Sequence, residues 1–111
     1  MTEVRQILGL DVSSPTFMRS LKAIKDPQLQ REIRQTLKDL LFLQLDQAPR
    51  KLHLHQLTHK KVASATRLGV EVNPWTLHVT ANDACKASFT LEDGIAYFRQ
   101  CDEHDRVDKH P

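Results

Sequence analysis

The sequence predicts an α+β fold in which a helical hairpin packs on one face of a small, twisted antiparallel sheet. Two stretches with apolar residues at helical spacing follow one another with almost no connector, around Asp26-Pro27. From about residue 50 onward the apolar residues alternate instead, and Glu92-Asp93-Gly94 marks a tight turn between the last two alternating runs. Each helix offers one apolar stripe, and two neighbouring stripes need a flat apolar partner, which a sheet supplies.

Taken in order, Ile7, Leu8, Leu10 and Val12 form a short apolar run that reads as an edge strand or, over residues 1–8, as a helical turn. Ser14 before Pro15 is an N-cap followed by proline at the first helical position, where a missing N–H forfeits no bond. Phe17, Leu21 and Ile24 then recur at helical spacing to about Lys25. Asp26-Pro27 repeats the same device. Behind it Leu29, Ile33, Leu37, Leu40 and Leu41 fall on one face, with Gln30, Arg31, Arg34, Gln35 and Lys38 on the other. Residues 46–49 end the helical pattern.

Lys51 to Leu57 alternate, with Leu52 and Leu54 on one side and His53 and His55 on the other, which predicts a half-buried strand. His59, Lys60, Lys61 and Ser64 read as a polar connector. Leu68, Val70 and Val72 predict a further strand closed by Asn73-Pro74. Next, Trp75, Leu77 and Val79 point inward while Thr76, His78 and Thr80 point outward. A turn at residues 81–83 leads to Cys85, Ala87, Phe89 and Leu91, again inward, with Lys86 and Ser88 outward. Ile95 to Arg99 make the last strand. The helices thus cover one face, and the histidines stand on the open one.

With 111 residues, one domain over 1–111 is expected. The net charge is only +2, so the Lys and Arg excess between Arg19 and Arg67 hints at a polyanionic partner no more strongly than at a solvated surface. No apolar run is long enough to span a bilayer, and no basic segment precedes an apolar one at the N-terminus. The expectation is a cytoplasmic protein without a membrane partner. Cys85 and Cys101 are too few for a disulfide scaffold. Buried thiols are expected, although the Asp93-Gly94 turn sets the two nearly opposite each other and leaves a bridge open.

The chemistry rests on histidine. Its ordinary pKa lies nearest neutrality, so two imidazoles flanking a phosphodiester can act as base and acid without large tuning. His55, His78 and His104 are the three that this sheet could bring together. One imidazole would remove a 2′-hydroxyl proton, the freed oxygen would attack the adjacent phosphorus, and a protonated imidazole would supply the leaving 5′-oxygen. Charge developing on the phosphorane needs cationic neighbours, for which Lys86, Arg99 and Arg106 are candidates. Lys60 and Lys61, with Arg50, Lys51 and the basic face of the second helix, could track further phosphates. The plainer reading of six histidines is six exposed polar residues sharing no site. A metal reading uses His53 and His55 with His59 or Asp102, yet no CxxC or HExxH signature accompanies it. No metal or cofactor is therefore expected.

Three local features carry a family resemblance: the helical pair TFMRSLKAIKDPQLQREIRQTLKDLL, the element His55-Gln56-Leu57, and the closing segment FRQCDEHDRV. Together they resemble the RelE/ParE superfamily of toxin–antitoxin toxins over about residues 7–108. Leu77-His78-Val79-Thr80-Ala81-Asn82 is similar to a strand of the YafQ-type mRNA endonucleases. The resemblance implies His55, His78 and His104 as active-site residues; the roles we assign to them are proton exchange for His104 and His78 and orienting or stabilising phosphate for His55, with Arg99 or Lys86 as the charge clamp. It also draws attention to Asn82 and Asp83, because such toxins place an aspartate four residues after the strand histidine and this chain has Asn82 there, with Asp83 one position later. The implied activity is ribosome-dependent cleavage of mRNA. The implied partners are the ribosome with its mRNA and a cognate antitoxin that neutralises the toxin in a hetero-oligomer. Within the same superfamily, a gyrase-inhibiting ParE-like toxin and a degenerate antitoxin-binding module are the non-enzymatic alternatives.

Overall fold

A computed structural model describes residues 6–80, 85–103, 107 and 110–111. Strand β1 (Gly9–Asp11) is followed by helices α1 (Pro15–Ala23) and α2 (Pro27–Asp39), then by strands β2 (His55–Gln56), β3 (Val62–Ala63), β4 (Glu71–Val72), β5 (Trp75–His78), β6 (Cys85–Glu92) and β7 (Ile95–Glu103). Five strands form one sheet in the order β1-β7-β6-β5-β2, antiparallel except for β1, which runs parallel to β7. Strands β3 and β4 form a separate antiparallel pair. The expected α+β architecture is present. Among the described residues, no helix is long and apolar enough to cross a membrane.

Both helices begin as their caps dictate. Ser14 Oγ accepts from the Phe17 N–H, and Asp26 Oδ1 accepts from the Gln28 N–H at 2.9 Å. Between them Gln30 Nε2 reaches back to the Ile24 carbonyl at 2.7 Å, satisfying an acceptor that the end of α1 leaves open. Ile33, Leu37 and Leu40 are buried as the stripe requires, whereas Leu41 lies beyond the end of α2 and is exposed. Phe17 packs on Phe98 with ring centroids 5.4 Å apart, and Phe98 on Phe89 at 5.2 Å. These three rings tie α1 to β7 and β6 at the centre of the core. Where β1 ends, the next inward N–H of β7, that of Cys101, is taken by Ser20 Oγ at 3.0 Å.

The β6–β7 hairpin turns at Asp93 and Gly94, with φ of 53° and 82°, the paired positive values of a type I′ turn. Its last strand runs to Glu103, past the expected end at Arg99. The register shifts between Ser88 and Phe89: Ser88 faces Gln100 and Phe89 faces Phe98, which leaves Arg99 as the extra residue of a β-bulge. Cys101 faces Ala87 and Cys85 faces Glu103, so the two cysteines are diagonal neighbours on the helix-facing side. Both are buried, and no disulfide joins them.

Three expectations are corrected. Residues 51–57 are not one strand: Arg50–Leu52 form a 3-10 turn, His53 is left-handed with φ 47°, and only His55–Gln56 pair with β5. Pro49 starts the turn, and a left-handed residue reverses the side-chain alternation that a strand would keep. Of residues 68–72 only Glu71–Val72 are strand, because Gly69 (φ 81°) turns a short hairpin whose tip exposes Leu68 completely. The third correction concerns the polar face of the sheet, which is covered: Thr76, His78, Lys86, Ser88, Thr90 and Glu92 are all buried. The β3–β4 hairpin lies against it, since Ser64 Oγ, the Ala65 N–H and Thr66 Oγ1 all donate to Glu92. Toward the other end Pro111 lies over Ser88.

Candidate active site

Strand pairing decides which side chains meet. On the polar face His55 lies opposite Thr76, Thr76 opposite Ser88, and Ser88 opposite Gln100, making one row across four strands. The next row is His78, Lys86 and Asp102. The left-handed turn at His53 folds that imidazole back over His78, with ring centroids 4.4 Å apart and planes 29° from parallel. His53, His55 and His78 therefore form a cluster at the β2–β5 edge. His53 and His55 are exposed, while His78 is 7% exposed.

The hydrogen bonds orient this cluster. His55 Nδ1 lies 2.9 Å from the His53 carbonyl oxygen, which can only accept, so Nδ1 carries the proton. In the neutral ring Nε2 is then the acceptor, and it faces Thr76 Oγ1 at 3.5 Å. A proton-accepting nitrogen is thus held in a fixed direction beside a hydroxyl, the arrangement that a general base needs. Lys86, 2% exposed, stands next to His78 in its row. Along the chain between Asp46 and Glu71 there is no acidic residue, but there are Arg50, Lys51, Lys60, Lys61 and Arg67 and three histidines. Lys61 is exposed on the connector from β2 to β3, and the Lys60 carbonyl there accepts from Asn73 Nδ2 at 2.8 Å.

Arg99 lies elsewhere. The bulge on β7 directs its guanidinium along the polar face, where Nε donates to the Pro111 carbonyl at 3.1 Å and Nη1 to the Ala63 carbonyl at 3.4 Å. Burial lowers its pKa, and the negative charge of Glu92 works in the opposite direction. Burial likewise opposes the charge on Glu92, but the bonds from Ser64, Ala65, Thr90 and Thr66 outweigh it and hold the carboxyl below its ordinary pKa. His104, Arg106, Asn82 and Asp83 lie outside the described residues.

Sequence reasoning placed His55 and His78 on one surface, and they are neighbours there. It assigned His53 only to a metal set and overlooked its stacking on His78. The signal was local, in Pro49 followed by a three-residue turn, but a left-handed histidine cannot be read from alternation. Among the described residues, no group of three or more His, Cys, Asp or Glu side chains could hold a metal ion.

No family model matches the chain, and no curated protein matches it. A solved structure does: the copper-bound form of a mutant toxin from Helicobacter pylori, 13% identical, with a TM-score of 0.50 over 90% of this chain and 98% of that one. The chain has a toxin-like fold. At that identity the likeness speaks of fold alone, and the copper belongs to the Helicobacter pylori protein.

Proposed function

We propose that this protein is the toxin of a type II toxin–antitoxin system, of the RelE/ParE kind, and that it cleaves mRNA on the ribosome by histidine acid–base chemistry. The observation that carries the reading is the cluster of His53, His55 and His78 on a toxin-like fold, with His55 Nε2 facing the Thr76 hydroxyl from a ring whose Nδ1 is fixed. In this reading one imidazole of the cluster takes the 2′-hydroxyl proton. The 2′-oxygen then bonds to phosphorus as the bond to the 5′-oxygen breaks, leaving a 2′,3′-cyclic phosphate. His104 returns a proton to the departing 5′-oxygen. His53 holds the His78 ring by stacking, and Lys86 sets the local charge. No cofactor takes part. The partners are the ribosome with its mRNA and a cognate antitoxin that binds the toxin in a hetero-oligomer in the cytoplasm.

Cleavage of a reporter mRNA in a translating extract tests this. His55→Ala, His78→Ala and His104→Ala should each lower the rate by about a hundredfold or more. Equal cleavage by the wild type and all three variants removes the catalytic assignment. One observation favours a second, non-enzymatic reading as an antitoxin-binding or gyrase-inhibiting module: His78 and Lys86 are buried, which suits a packed face as well as a site. Growth arrest with intact mRNA would select that alternative.

A further inference from the structure

Ser88 is fully buried at the middle of the polar face, between Thr76 and Gln100. Its hydroxyl donates to the Pro111 carbonyl oxygen at 2.7 Å, and Arg99 Nε donates to the same oxygen at 3.1 Å. A hydroxyl and a guanidinium converging on one oxygen in a place shielded from water are a donor set suited to a phosphate oxygen. Arg99 reaches this point because the bulge adds one residue to β7 opposite the Ser88/Phe89 step. Evenly spaced pairing would not leave β7 with that extra residue. Glu92, the acid whose charge Arg99 senses, is occupied by donors from the β3–β4 hairpin.

Open space adjoins this point on two sides. A space of about 190 Å³ lies between Gln100 and Asp102 of β7 and Val107 and His110 of the closing segment. A second, of about 360 Å³, is lined by Arg99 together with Tyr97, Asp11, Ser13 and Ala65. We propose that Ser88 and Arg99 form a phosphate-binding subsite for a phosphodiester ligand, and that Pro111 fills it in competition with that ligand. The subsite lies in the same row as His55, two strands away and so on the order of 10 Å across the sheet. A phosphate held there would neighbour one presented to the histidine cluster. Naming RNA as the ligand rests on the ribonuclease reading; the phosphate chemistry does not.

The probe is a short single-stranded 2′-O-methyl oligoribonucleotide, which has phosphates but no attacking hydroxyl. Removing His110 and Pro111 should tighten its binding about tenfold or more, because the competing oxygen is gone. Arg99→Gln in the shortened chain should return affinity to that of the full chain or below, with Ser88→Ala acting in the same direction. Inorganic phosphate should displace the probe. No gain on shortening, or no loss with Arg99→Gln, overturns the proposal. Should the shortened chain fail to fold in a thermal melt, the full chain still decides: the Arg99 Nε–H resonance must move on titration with the oligonucleotide, and a stationary signal overturns the proposal. Tight binding without mRNA cleavage would remove the nuclease reading and leave the subsite standing. Cleavage with no change in binding on shortening would do the reverse.

Discussion

Replacing Glu92 with glutamine should loosen the β3–β4 hairpin from the sheet. The carboxylate is 7% exposed and accepts from Ser64 Oγ, the Ala65 N–H at 2.8 Å, Thr66 Oγ1 at 3.0 Å and Thr90 Oγ1 at 2.9 Å. Glutamine keeps one accepting oxygen and turns an NH2 group toward the remaining donors, so about two charge-assisted bonds are lost. At roughly 1.5 kcal/mol or more each, against partial relief from water at the exposed hairpin, Glu92→Gln should destabilise the protein by about 2–4 kcal/mol. Urea denaturation measures the total. Amide hydrogen exchange at Val62, Ala63 and Val72 should rise before exchange in β6. The carboxyl pKa is lowered from its ordinary 4.5, so its contribution is complete above that range and disappears as the pH falls through the lower folded value. The gap between wild type and variant should therefore be widest near neutrality and close in acid. A difference under about 0.5 kcal/mol at pH 7, or one independent of pH, would refute the claim that this charge anchors the hairpin.

Gly94→Ala should destabilise by about 1–2 kcal/mol in thermal unfolding, because φ is 82° and an added Cβ would come within 2.9 Å of Leu8 Cδ1. Phe98→Ala removes the middle ring of the Phe17–Phe98–Phe89 stack and should lower stability by about 3–5 kcal/mol in denaturant titration. Burial, with Cys85 and Asp102 nearby, pushes the Cys101 thiol up to about 12. Iodoacetamide should therefore leave it unmodified in the native protein at pH 8 and alkylate it once the chain is unfolded, as mass spectrometry would report.

Some of this could be read from the chain alone, for a physical reason. Ser14-Pro15 and Asp26-Pro27 act within a single turn, so the starts of both helices were visible, as was the tight hairpin turn at Asp93-Gly94. The inward set Leu77, Ala87 and Phe89 followed from strict alternation in strands buried on the helix side. The outward set was equally legible as polar. Whether that face met water was not, because its cover comes from the β3–β4 hairpin, held through Glu92, and from Pro111, distant in sequence. His53 shows the limit most plainly: a single left-handed residue overrides the alternation of its neighbours and sets its ring on His78. The bulge that aims Arg99 at Pro111 is likewise a matter of register between two strands. Local backbone preference and apolar spacing are properties of short stretches, so the sequence by itself determined the two helices, the last hairpin and the layer order. The cover on the polar face, the stacked histidines and the direction of Arg99 depend on contacts between distant residues, and only the tertiary structure decided them.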